Sequence, residues 1–275
     1  MTAITSQDNP RLKQLRKLRR RRERERSGLF VAEGEDLVAA AIAAGRPVVA
    51  GYRVAGTAIG GSGFSDVEPN VMASVSTLGS GTRAIGVYKQ RFAAPTGPLC
   101  VCLWGVSDPG NVGTVLRGAL AFGAACVALG PGCADPHSPK AVRASMGAIF
   151  EVALARVGDV GELPGRRVAL VAGAGEPIWS TTSVLGGAGG EDTEVDSPPA
   201  LTLLVGAERE GLPPEAVSAC DTVAHIPIVS ESLNAAMAAT VALYETTRRA
   251  NRLTDRGARL PGLRPAAPPS RVPPT

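Results

Sequence analysis

The stretch HIPIVSESLNAAMAATVALYE, residues 225–245, changes character in its middle. A β-type run from Val223 to Val229 stops in the polar turn Ser230-Glu231-Ser232, and an Ala-rich helix is predicted from Leu233 to about Arg249. Ser232 and Asn234 sit at the helix start, where short polar side chains satisfy free backbone N–H groups. Small residues follow at Ala235, Ala236, Ala238 and Ala239 and allow another backbone or a ligand to come close. Taken alone, the stretch reads as a capped helix on a core. Its second reading is one wall of a polar ligand site.

Upstream, near-continuous apolar runs recur at Leu99–Trp104, Ala125–Leu129, Val168–Ala172, Leu201–Val205 and Val223–Ile228. Helical segments fall between several of them, at Val112–Phe122, Pro139–Gly147 and Pro213–Ala219. Apolar strands alternating with helices predict an α/β fold whose parallel sheet is covered on both faces. Ligands of such sheets bind in the loops beyond the C-terminal strand ends. The loops to read are therefore those after Trp104, Leu129, Val205 and Ile228.

Each of these loops is polar or Gly-rich. After the first, Asp108-Pro109-Gly110 forms a turn, Asn111 is placed to cap the next helix, and Arg117 is that helix's one cation. An exposed Arg on an amphipathic helix is the plain reading, but Asn and Arg near a strand end also suit an anionic or ribose substrate. The second loop carries Lys140 and Arg143, with Ser145 and Gly147 permitting close packing. The third, GAEREGLP at 206–213, sets Glu208 between Gly206 and Gly211, which permit backbone shapes that other residues resist. The glycine fingerprint of dinucleotide folds, the phosphate-binding P-loop and the G-x-S-x-G elbow are all missing.

Residues 1–93 read as a separate small α/β unit. It opens with RLKQLRKLRRRRERER at 11–26, ten basic residues against two glutamates. Leu12, Leu15 and Leu18 recur at helical spacing and can seat this helix on a core. The density of charge, centred on Arg19, Arg20, Arg21 and Arg22, suits phosphate, so RNA contact is expected there. Residues 94–98 read as a linker, residues 183–199 as a flexible acidic insertion, and residues 250–275 as a disordered tail. The five cysteines are odd in number and scattered, with no CxxC pair, and the histidines are only His137 and His225. Free thiols in a reducing cytoplasm and no metal site are expected. No uninterrupted apolar run is long enough to span a membrane, and with no apolar stretch near residue 1 no secretory signal is expected.

Together these stretches resemble the SpoU (TrmH-like) branch of the SPOUT RNA methyltransferases. Three motifs occur in order: Asn111-x-Gly113-x-x-x-Arg117; Leu204-Val205-Gly206-Ala207-Glu208-x-x-Gly211-Leu212; and Ile226-Pro227-Ile228 with Ser232-Leu233-Asn234. The match covers about residues 99–249. Residues 1–93 resemble, more loosely, the ribosomal-protein-like RNA-binding domain that precedes many such catalytic domains. The resemblance implies a parallel sheet with a trefoil knot, a homodimer whose active site uses both subunits, and S-adenosyl-L-methionine as cofactor. The implied reaction is methylation of a ribose 2′-hydroxyl in structured RNA, with 23S ribosomal RNA favoured over transfer RNA. It assigns catalysis to Asn111, Arg117, Glu208, Ser232 and Asn234. It assigns cofactor contacts to Leu204, Gly206, Glu208, Ile226, Ile228, Ser232 and Leu233. The chain departs from the family pattern at Ala207 (commonly Asn), Ile228 (Met), Ser230 (Gly) and Ala235-Ala236 (Val-Ser). The competing readings are a non-catalytic RNA-binding protein of the same fold and an enzyme of that fold that modifies a base.

Overall fold

The computed structural model describes residues 3–78, 81–181 and 200–254. The expected insertion at 183–199 and most of the expected tail lie outside these residues.

The basic stretch folds as two short helices, α1 (Pro10–Lys17) and α2 (Arg21–Ser27), rather than one. Asn9 caps α1 by accepting from the Arg11 N–H. Gly28, in the left-handed region at φ 65°, ends α2 and turns the chain into β1 (Leu29–Glu33). Then follow α3 (Glu35–Ala43), β2 (Ala50–Val54), β3 (Phe64–Val67), α4 (Pro69–Val75) and β4 (Ala84–Lys89). The sheet order is β1-β4-β2-β3, with β4 antiparallel to both neighbours and β2–β3 parallel. Leu12, Leu15 and Leu18 are buried against Tyr52, Met72 and Ile85, so the leucine spacing seats the basic helix on a core as expected.

The second unit comprises β5 (Leu99–Leu103), α5 (Pro109–Ala121), β6 (Cys126–Leu129), α6 (Pro139–Ala144), β7 (Ala153–Arg156), β8 (Arg166–Leu170), β9 (Glu176–Pro177), α7 (Ile178–Thr181), β10 (Leu201–Val205), α8 (Pro214–Ser218), β11 (Thr222–His225) and α9 (Ala235–Thr254). All seven strands pair in parallel, in the order β7-β6-β5-β10-β8-β11-β9. β10 enters late in the chain yet lies at the centre, in register with β5 from Leu201↔Leu99 to Val205↔Leu103. Its five residues are buried, as are all five of β5, which is why both read as unbroken apolar runs. The chain runs outward from β5 through β6 to β7 and then crosses to β8. The loops after β5 and β10 therefore open at the point where strand order reverses, the usual ligand crevice of open parallel sheets.

Three readings of the sequence need correction. β7 and β9 were not anticipated. The strand expected over Val223–Ile228 ends at His225, leaving residues 226–234 irregular. The last helix starts at Ala235 rather than Leu233 and continues through Thr254 into the expected tail.

The two units share one core. Phe30, Leu37, Ala41 and Tyr88 of the first pack with Leu99, Leu154, Ile149 and Phe150 of the second. A Cβ on Gly147 would collide with the Ala40 methyl of α3, so the close packing expected at Gly147 is with the first unit. Arg24 is 3% exposed and donates from Nε and Nη2 to Asp135 Oδ2 at 2.8 and 2.6 Å. Its Nη1 donates to the carbonyls of Leu18 and Arg19. One arginine of the basic block is thus a buried tie between the units. Truncating one partner of such a pair strands a buried charge at a cost of about 3–5 kcal/mol, whereas apolar replacement of both can be neutral. Asp135→Ala should lower the urea-unfolding free energy by that amount. Arg24→Met with Asp135→Leu should recover most of it.

Candidate active site

Asp108 opens α5. Its Oδ1 accepts from the Asn111 N–H at 3.0 Å, and Pro109 takes the first helical position, where its missing N–H costs nothing. Lys140 Nζ lies 2.6 Å from Asp108 Oδ2 and holds that carboxyl below the usual carboxylate range. The cap is therefore Asp108, not Asn111 as expected from the sequence. Asn111 is three residues into the helix, with its side-chain amide free for other partners. Two residues on, a Cβ at Gly113 would strike the Ala141 carbonyl and the Ala144 methyl, so glycine is what lets α6 cross α5 this closely.

The loop after β10 closes on itself. Ala207 and Gly211 exchange backbone hydrogen bonds of 3.1 and 3.0 Å, with Gly211 at φ 68°. A side chain on Gly206 would run into the backbone of Gly211 and Leu212. This tight ring presents Glu208 at the C-terminal edge of the central strand.

The third segment follows β11. From Ile228 to Leu233 no backbone N–H has a hydrogen-bond partner among the described residues. Asn234 then caps α9: its Oδ1 accepts from the N–H groups of Ala236 at 2.9 Å and Met237 at 3.3 Å. Ser232 does not cap the helix. Its side chain is exposed, and its carbonyl accepts from Ser230 Oγ at 3.4 Å.

These three starts meet through side chains. Asn234 Nδ2 donates to Asn111 Oδ1 at 3.1 Å, and Asn111 Nδ2 donates to Glu208 Oε1. Each amide has its orientation fixed from both ends. The cap commits the Asn234 oxygen to α9, so its NH₂ faces Asn111. That commits the Asn111 oxygen, so its NH₂ faces the Glu208 carboxylate. Residues 111, 208 and 234, far apart in the chain, become one directional polar chain at the crevice above β5 and β10.

Other expected site residues lie elsewhere. Arg117 is exposed on α5 and has no hydrogen bond or ion-pair partner among the described residues. It stands six residues beyond Asn111, about 9 Å along the axis at ~1.5 Å per residue, and Asn111 does not orient it. Leu204 is fully buried, with its side chain in the core beside Cys102 and Ala169. Ile226 is half-buried and Ile228 exposed beside Val229. Of the four arginines singled out near the N-terminus, Arg19 donates to the Val75 and Ser76 carbonyls that end α4, and Arg21 pairs with Glu25 at 2.8 Å. The Arg20 and Arg22 side chains are exposed and make no hydrogen bond or ion pair among the described residues.

Residues 98–244 match the SpoU rRNA Methylase family, and residues 9–80 match the MRM3-like substrate binding domain. The chain is 29% identical over 258 residues to the 23S rRNA (guanosine(2553)-2'-O)-methyltransferase RlmP of Bacillus subtilis, covering 89% of this chain and 98% of that protein. It is 37% identical over 158 residues to the 23S rRNA (uridine(2479)-2'-O)-methyltransferase of Streptomyces viridochromogenes, covering 56% of this chain and 53% of that one. Among solved structures, the AdoMet-bound rRNA methyltransferase from Sinorhizobium meliloti superposes with a TM-score of 0.75 at 28% identity, over 90% of this chain and 98% of that one. With the family match spanning more than half of its length and its three motifs joined at one crevice, this chain belongs to the SpoU rRNA methylase family.

Proposed function

We propose that this protein transfers a methyl group from S-adenosyl-L-methionine to a ribose 2′-hydroxyl of structured RNA, with 23S ribosomal RNA as the first candidate. The observation that carries this reading is the Asn234–Asn111–Glu208 chain, which joins all three motifs at the strand-order reversal. The relatives named as 23S rRNA 2'-O-methyltransferases support the substrate class.

The residues present fit the cofactor. The unpartnered N–H groups from Ile228 to Leu233 and the ring of Gly206 to Gly211 offer main-chain groups to a polar adenosyl moiety. Ser232 adds an exposed hydroxyl. Leu204, Gly206, Ile226, Ile228 and Leu233 would contribute through the backbone, and Glu208 through its carboxylate. When bound, the cofactor supplies an electrophilic methyl group. The chain's own task is to position the ribose hydroxyl and to stabilise charge as its proton leaves. Asn111, with both amide ends fixed, holds Glu208 in one orientation at the reacting position. Arg117 offers a guanidinium, a group that does not serve as a general base in proteins. Its role is electrostatic: it holds a phosphate and stabilises the developing alkoxide.

Arg117 stands apart from the polar chain of its own subunit, which supports a site completed by a second copy. The exposed face around it is apolar. Leu120 on α5 and Met237, Val241 and Tyr244 on α9 are all exposed, the last three at one-face spacing. Phe122 and Tyr244 bring the two helices together with ring centroids 6.1 Å apart. A homodimer through this face would carry Arg117 to the partner's crevice. The trefoil knot belongs to the same proposal, supported by the late entry of β10 between β5 and β8.

Two outcomes test this. Arg117→Ala should cut ribose methylation of 23S rRNA by about 10²–10³-fold, the scale of one lost charge-stabilising donor, while calorimetric S-adenosyl-L-methionine binding persists. Equal methylation by wild type and variant, mapped at nucleotide resolution, would remove the assignment. Val241→Glu should shift the light-scattering mass from dimer to monomer and abolish methylation. Mixing it with an inactive Arg117→Ala dimer should restore none.

A further inference from the structure

A cleft of about 740 Å³ opens between the two units, lined by the end of β4, the chain after it and the start of β7. Its contents are unusual for a seam between packed units. Arg46, Lys89 and Arg91 line it, and no carboxylate does. Lys89 and Arg91 are exposed and have no partner among the described residues. Arg46 donates to the Phe150 carbonyl at 2.6 Å, and its remaining guanidinium nitrogens are unpaired. Burial and then the charge of Arg91 press its pKa down.

Tyr88 and His137 stand in the wall of the cleft. Tyr88 and His137 are each 2% exposed, and Tyr88 Oη and His137 Nδ1 lack a hydrogen-bond partner. They are the only such buried side-chain atoms among the described residues. Neither atom faces the cleft: the Tyr88 hydroxyl lies back over Gly86 on its own strand, and His137 Nδ1 faces Asp135 Oδ1 at 3.9 Å. Burial pushes the Tyr88 phenol up to about 12 and the His137 imidazole down to about 4. Beside them, Phe92 is 37% exposed, with the Arg156 guanidinium 4.4 Å over its ring.

We infer that this cleft binds one nucleotide of the RNA substrate, its phosphate between Arg46, Lys89 and Arg91, and its base stacked against Phe92. Three cations with no carboxylate among them suit a phosphate. A half-exposed aromatic ring braced by a guanidinium suits base stacking. The edge strand β7 is three strand spacings from β10, about 14 Å at ~4.8 Å each. The occupant is therefore a different nucleotide from the one whose ribose reacts, and the cleft helps to choose which ribose reaches Glu208. This rests on the reading of the protein as an RNA methyltransferase.

The test uses the full-length protein and in vitro transcribed 23S rRNA carrying 4-thiouridine. Irradiation should crosslink RNA to the peptide containing residues 89–93. Phe92→Ala should weaken RNA binding about tenfold, the size of one lost base stack, with S-adenosyl-L-methionine binding unchanged. Arg91→Glu should reduce the slope of binding against salt by at least about one phosphate contact. If wild type binds and methylates the RNA while Phe92→Ala and Arg91→Glu do so equally well, the cleft assignment falls and the methyltransferase reading stands. Wild type that neither binds nor methylates RNA overturns both. Free UMP or GMP bound at this cleft with no RNA crosslink there overturns the RNA assignment.

Discussion

The polar chain from α9 through Asn234 and Asn111 to Glu208 is the constraint on which the site depends. Three peptide segments that are independent in sequence must end at one place for it to form. Each is set there by a different device: the Asp108 cap and Pro109 for α5, the closed ring of Gly206 to Gly211 after β10, and the Asn234 cap for α9. Each asparagine spends both ends of its amide, so neither can turn over without breaking a bond at the far side. A carboxylate held this way needs no further side chain to define its direction. The segment between β11 and α9 is left with unpartnered N–H groups. In a protein interior that would be costly, but at a crevice it is the raw material of a ligand site.

A second constraint sets how the substrate-facing unit sits. The first unit is not tethered by a loose linker, because its β1, α3 and β4 contribute Phe30, Ala41 and Tyr88 to the same core that supports the seven-stranded sheet. The Ala93 N–H donates to the Leu154 carbonyl at 2.8 Å, and the Leu201 N–H to the Pro98 carbonyl at 2.8 Å, so the connecting segment itself lies along the sheet. Any RNA held by the first unit is therefore presented to the crevice in a fixed geometry. Arg24 makes the same point at the level of charge. The most basic stretch of the chain places one of its arginines out of solvent, on Asp135.

Legibility followed the range of the physics. The central strands β5 and β10 are buried throughout and stood out as apolar runs, whereas Asp108-Pro109-Gly110, read as a turn before a helix from Val112, is the cap and first turn of α5 itself. β7 and β9 escaped because an edge strand of four residues and another of two carry too few alternating or apolar positions to register. Asn111 was assigned to capping because cap residues are interchangeable by type, and only the fold shows that Asp108 already fills that place. Arg24 was indistinguishable from its nine basic neighbours, since what buries it lies 111 residues away.

The sequence by itself determined the elements, the parallel sheet and which residue types would stand at its C-terminal edge, because these depend on local periodicity, caps and turn chemistry. The tertiary structure decided which of those residues meet. It brought Asn111, Glu208 and Asn234 together, set Arg117 apart on an exposed apolar face, and opened a basic cleft between the units. Such pairings depend on where strands from distant parts of the chain come to lie side by side, and no local pattern encodes that distance.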